Sequence, residues 1–239
     1  MIRRYLLLVV ILLLPTQGWA AVAVDSRAQG TATATSPQTT SFTVNSASPL
    51  IVSVSWQGAQ TLSGVTWNGT AMSLIGQQDD SLGIAKTGVY GLANPATGTH
   101  DVVVTWSANP DVATSFFIST TGGDTTTGWR GVYKRSDTDG TGPGLTVVDS
   151  VSGDIVFHAI TTYSATNTFD GGETATSTQD DAIFASGTSG GLSTKDAAGA
   201  STVVGATDTG IYSEAAVAVI PASGGAATPR NLLLMGVGQ

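Results

Sequence analysis

The sequence predicts an all-β fold, an antiparallel two-sheet β-sandwich of jelly-roll type. Three observations lead there. Apolar residues recur at every second position in one segment after another, the period of a strand with one buried face. Turn residues close the segments, most clearly Asn68-Gly69 and Asn94-Pro95-Ala96-Thr97-Gly98. Below the first 23 residues no helical apolar period is sustained, which leaves sheets packed face to face as the economical architecture.

Residues 1–23 stand apart. Arg3-Arg4, the apolar run Leu6–Leu14 and Ala21-Val22-Ala23 read as a secretory signal peptide with cleavage before Val24, or alternatively after Ala20. The run is too short for a stable transmembrane anchor. The expected product is therefore secreted or displayed on the cell surface. Residues 24–222 are expected to form the β-sandwich domain, and 223–239 a small-residue linker with an apolar tail.

The organising segment is Leu50–Trp106. Leu50, Val52, Val54 and Trp56 share one strand face, with Ile51, Ser53, Ser55 and Gln57 on the other. Val65 and Trp67 run into Asn68-Gly69, a dipeptide suited to a type I′ hairpin turn, and Met72 and Leu74 return on one face. Asn68-Gly69-Thr70 also matches a glycosylation sequon, although the turn accounts for it fully. Val102, Val104 and Trp106 oppose Asp101, Val103 and Thr105. Trp56, Trp67 and Trp106 all fall on inward positions, which reads as core.

The remaining strands follow the same grammar. Val24–Thr35 and Ser41–Val44 precede the segment, and Val112–Ile118 follows it. Leu145–Val148, Asp154–Tyr163, Ser201–Val204 and Ile211–Ile220 complete the set. Asp154–Tyr163 is apolar on both faces, so it is expected to be central and covered twice. Thr120–Gly144 and Ala165–Ala200 read as long loops, the second with weak strands around Thr174–Thr178 and Ala182–Ala185, and these loops are the expected binding elements.

GVTWNGTAMSLIG, VYGLANPATGTHDVVVTWS, VDSVSGDIVFHAI and YSEAAVAVIPA together resemble a group of uncharacterised exported bacterial and metagenomic β-sandwich proteins. Their shared features are a G-V-T-[YW]-N-G hairpin and a closing A-V-A-[IV]-x-P strand. The resemblance spans about Val24–Ala222 and rests on turns and core strands, so it implies a fold and supplies no catalytic residues. FFISTTGGD departs from the group's pattern, and the loop after it is not read by analogy.

Composition narrows the function. The chain has no cysteine, which removes disulfides, thiolate chemistry and cysteine-bound metals and leaves stability to burial. The formal charge of −8 becomes −10 when Arg3 and Arg4 leave with the signal peptide. Such acidity disfavours nucleic acid and anionic membrane surfaces. Charged residues make up 11% of the chain, against roughly 25% in an ordinary domain. Ser and Thr fill the difference at about a quarter of all residues, as suits hydroxyl-rich strand faces.

Two clusters are candidates for chemistry. Trp129-Arg130-Gly131-Val132-Tyr133-Lys134-Arg135 is the basic cluster. Regular alternation would set Trp129, Gly131, Tyr133 and Arg135 on one side, where aromatics beside Arg130 and Asp124 could stack on and hydrogen-bond a sugar ring. A strand with buried aromatics fits the same residues. Asp137-Thr138-Asp139-Gly140-Thr141 alternates oxygen donors before glycine, so Asp137, Asp139 and Thr141 are candidate Ca2+ ligands, with Asx turns as the alternative. His158 reads as a hydrogen-bonded core residue. Neither a paired-carboxylate strand nor a G-x-S-x-G elbow, phosphate loop or dinucleotide fingerprint is present.

The expectation is a non-catalytic, secreted or surface-bound module that binds a glycan or another surface polymer. The alternative is a structural subunit that self-associates through its Leu232–Val237 tail. A polysaccharide-active enzyme is the third reading.

Overall fold

A computed structural model describes residues 21–137, 144–163, 168–170, 174–175, 182–183, 188–197, 199–207 and 210–223. Residues 1–20 of the segment read as a signal peptide and the 231–239 tail lie outside the described residues.

Nine strands fill the first half: β1 (Ala23–Gln29), β2 (Gln38–Val44), β3 (Leu50–Gln57), β4 (Leu62–Trp67), β5 (Thr70–Ala71), β6 (Ser73–Asp79), β7 (Lys86–Leu92), β8 (Gly98–Trp106) and β9 (Val112–Thr121). Their antiparallel pairing is nested. The first strand pairs with the last, β2 with β8, β3 with β7, and β4 with β5 across the hairpin tip. A long hairpin rolled up in this way yields two facing sheets, β1-β9-β3-β7-β6 and β2-β8-β4-β5. That is the jelly roll the alternating sequence predicts. Asn68 at φ 47° and Gly69 at φ 75° make the tip, as a type I′ turn requires.

The second half repeats the plan with β10 (Trp129–Asp137), β11 (Gly144–Val147), β12 (Ile155–Tyr163), β13 (Thr168–Asp170), β14 (Thr174–Ala175), β15 (Ala182–Ile183), β16 (Thr188–Asp196), β17 (Thr202–Thr207) and β18 (Ile211–Val219). Again the pairs nest, β10 with β18, β11 with β17 and β12 with β16. The resulting sheets are β10-β18-β12-β16-β14 and β11-β17-β13, with β15 also on β16. The two halves share one topology except at their fifth strands, where β5 pairs with β4 but β14 pairs with β16.

The antiparallel all-β sandwich is as the sequence predicts, but among the described residues the sheets number four instead of two, because each half rolls up by itself. They stack as β2-β8-β4-β5, then the first five-stranded sheet, then the β12 sheet, then β11-β17-β13. Among the described residues, apolar clusters fill the gaps, with Ile160, Ala206 and Tyr212 forming a small fourth beside the three main ones. Leu50, Val52, Val54 and Trp56 meet Phe42, Trp67, Val104 and Trp106 in the first. Ile51, Phe116 and Ile118 meet Phe157, Leu192 and Val217 in the middle. Val156, Ala216 and Ala218 meet Leu145, Val147 and Val204 in the third.

The stacking corrects one expectation. The face of β3 that carries Ser53 and Ser55 is buried as fully as its apolar face. It packs on the second half through small groups. A Cβ on Gly190 would lie 2.4 Å from the Ser55 hydroxyl. Nearby, Thr87 Oγ1 donates to Thr161 Oγ1 at 2.7 Å and lies 2.9 Å from both the carbonyl and the hydroxyl of Ser213. Thr161 Oγ1 in turn donates to Lys86 O. The hydroxyls of Thr87, Thr161 and Ser213, which would face water in a single sandwich, satisfy one another here, Ser55 Oγ donates to Ile160 O, and Ser53 Oγ is buried without a partner. β12, read as doubly covered, lies between two cores as expected.

Candidate functional site

β10 carries the predicted aromatic and basic residues, and a bulge separates them. Gly131 adopts φ 58°, and the register against β18 shifts between Arg130 and Val132. Ahead of the bulge Trp129 turns toward the middle core, with its ring over Gly91. Beyond it Tyr133 turns the other way, onto the third core. The extra residue thus breaks the alternation that would have put both rings on one side. Each is half-buried, so they do not form a common stacking platform.

The polar neighbours are engaged within the fold. Arg130 donates from Nε and Nη2 to the two oxygens of Asp154 at 3.1 and 2.7 Å, a bidentate pair with a fully buried carboxylate. Arg135 donates to Gly144 O at 3.4 Å, and its guanidinium lies 5.8 Å from the Tyr212 ring centroid. Tyr133 Oη donates to Asp149 at 2.9 Å. Burial, and then that bond, raise the Tyr133 pKa above the usual phenol value. Asp124 accepts from the amides of Thr126 and Thr127 at 2.8 and 2.7 Å, an Asx turn that leads into β10. Those amides stabilise the carboxylate and lower its pKa.

Of the candidate calcium ligands, Asp139, Thr141 and the side chain of Asp137 lie outside the described residues. Among the described residues, no group of three or more His, Asp or Glu is placed to hold a metal.

His158 and Glu214 form a pair that sequence separation concealed. His158 Nε2 lies 2.8 Å from Glu214 Oε2, and Glu214 Oε1 accepts from Gly144 N at 3.0 Å. Both side chains are sealed from solvent. A dyad closed in this way ties β12, β18 and β11 together, with no surface for a substrate to approach.

An open polar cleft lies elsewhere, on the outer face of β2-β8-β4-β5. A cleft of about 430 Å³ is lined by Ser41, Thr66, Asn68, Thr99, His100 and Asp101. Strand alternation builds it. Val102 and Val104 point into the first core, so Asp101 and Thr105 must point out, and Ser41 and Thr66 do so on the flanking strands. The hairpin tip brings in Asn68, whose amide N–H donates to Asp101 O at 3.1 Å. His100 Nε2 lies 3.2 Å from Thr97 O, and its ring meets Trp67 edge-on at 5.3 Å between centroids. The buried tryptophan therefore supports the imidazole from below. The residues lining it bring one carboxylate, one imidazole, one carboxamide and three hydroxyls to this face. The sequence held a signal for this site in the outward set Asp101-Val103-Thr105. The pairing that adds Ser41, Thr66 and Asn68 was not readable there.

Comparisons with family models, with curated proteins and with solved structures find no match to this chain. The site's own chemistry carries the functional reading.

Proposed function

We propose that this chain is an exported, non-catalytic surface module that binds a hydroxyl-rich polymer, a glycan, on the outer face of β2-β8-β4-β5. The observation that carries the reading is the Ser41–Thr66–Asn68–Asp101 cleft. Sugar hydroxyls both donate and accept. The Asp101 carboxylate offers acceptors, the Asn68 carboxamide offers both, and the three hydroxyls adapt to either role. The groups sit on strands rather than on long loops, so little ordering entropy opposes binding. Glycosidic hydrolysis works with two carboxyl groups flanking one bond, whereas the described cleft presents one. The export half of the reading rests on the Arg3-Arg4, Leu6–Leu14 and Ala21-Val22-Ala23 pattern.

A polysaccharide pull-down with the purified chain tests the proposal. Asp101→Ala should weaken retention roughly tenfold, the order expected from losing hydrogen bonds to a charged acceptor. Trp129→Ala, at the middle core and not on this outer face, should leave retention unchanged in the fraction that stays folded. Equal retention of Asp101→Ala and the parent chain would overturn the assignment of this face.

A further inference from the structure

We infer that Asn68 is a self-modifying position, at which the side-chain amide is converted spontaneously into aspartate and isoaspartate. Several observations converge on it. Of the six asparagines in the chain, Asn68 alone precedes glycine. Gly69 brings no side chain to shield its own amide nitrogen. Both residues are exposed at the hairpin tip, and a Cβ on Gly69 would meet nothing within 4 Å. Asn68 is also the one non-glycine residue with positive φ among the described residues, a conformation L side chains adopt at some cost.

The tip can open at small expense. β5 has two residues, and its ladder to β4 consists of Thr66 opposite Ala71 and Trp67 opposite Thr70. Short edge segments of this kind open locally far below the global unfolding free energy. In the opened state the Gly69 amide nitrogen, having lost its proton to solvent base, attacks Asn68 Cγ. The new N–Cγ bond closes a five-membered succinimide, and the side-chain nitrogen leaves as ammonia with the proton returned. Water then adds to one of the two ring carbonyls. Opening at Cγ–N gives aspartate with the original main chain. Opening at the α-carbonyl gives isoaspartate, whose main chain runs through the side-chain carbon. Ammonia leaves, one water enters, and no oxidant or further reactant is needed.

Either product adds a carboxylate to the cleft wall beside Asp101. Isoaspartate also lengthens the turn by one methylene, which mismatches the two ladder pairs that hold β5. This consequence rests on the proposed glycan site, but the chemistry does not. An ageing protein would lose ligand affinity at a rate written into its turn.

The test keeps the two apart. Folded parent chain is incubated at mildly alkaline pH and mapped by peptide mass spectrometry. Expected is a time-dependent exchange of NH2 for OH at Asn68, with two chromatographically separate isomers, while exposed Asn45, which precedes Ser46, stays intact. Asn68→Gly, which suits a type I′ turn, should show no change in this peptide and keep the parent's circular dichroism. An unmodified Asn68 in the folded chain, alongside conversion in a urea-unfolded control, would overturn the inference. Retention of Asn68→Asp on polysaccharide, read separately, reports on the glycan site alone.

Discussion

Replacing Thr87 by valine probes the contact that makes one molecule of two jelly rolls. Valine keeps the shape, so the substitution leaves almost no cavity and removes only the hydroxyl. Thr87 is fully buried, and its Oγ1 lies within 2.9 Å of Thr161 Oγ1 and of both oxygens of Ser213. Losing a hydrogen bond costs about 1 kcal/mol net, and stranding a buried partner adds about 1–3 kcal/mol. Thr161 retains its own bond to Lys86 O, so the stranded group is chiefly the Ser213 hydroxyl. The expected loss is about 2–3 kcal/mol, or a fall of about 4–12 °C in Tm for a chain of this size. The assay is urea unfolding followed by tryptophan fluorescence and by far-ultraviolet circular dichroism. Trp56, Trp67 and Trp106 report the first half and Trp129 the joint between the halves, while dichroism reports both halves. Thr161→Val and the double variant complete a cycle, which should give a coupling energy of at least about 0.5 kcal/mol because the two hydroxyls touch. An unchanged midpoint for Thr87→Val, or strict additivity in the cycle, would refute the claim that these hydroxyls join the halves.

Two further predictions concern residues the sequence nominated for binding. Trp129→Ala should destabilise the fold by about 2–3 kcal/mol, below the usual cost for a fully buried tryptophan because the ring is half-exposed; thermal melting measures it, and an unaffected Tm would show that the ring does not pack. Asp124 has its folded pKa lowered from 3.8 by the Thr127 and Thr126 amides. Its contribution to stability is therefore present above that unfolded value and is lost as pH falls through the lower folded one. Asp124→Asn, which can still accept both amides, should flatten this acid limb in urea titrations between about pH 5 and 2. An acid limb of the same steepness in the variant would assign the dependence to other carboxylates.

Much of the fold was legible in the residues, and the reasons are local. Asn68-Gly69 selects its own turn, and the two-residue period of Leu50, Val52, Val54 and Trp56 names the face that joins the first core. The three tryptophans on such positions are buried as read. β12 was readable as central because both its faces are apolar. The binding cluster failed at one glycine. Gly131 is compatible with a regular strand, and nothing before the fold says that a bulge there will send Trp129 and Tyr133 to opposite sides. Likewise, His158 and Glu214 are distant in the chain, and only the pairing of β12 with β18 brings them within hydrogen-bonding distance.

The sequence by itself determined the class of structure, because strand period and turn chemistry depend on neighbours along the chain. Tertiary structure decided how many layers there are and which polar face is open. Ser and Thr are the cause of the difference. A hydroxyl is equally satisfied by water and by another hydroxyl, so Ser55 and Thr87 are as compatible with a surface as with a core, yet with Thr161 of β12 they form the joint between two jelly rolls. Ser41 and Thr66 read the same way and remain exposed beside Asp101. Local pattern cannot separate the two sets, since what distinguishes them is whether a second sheet arrives to cover them.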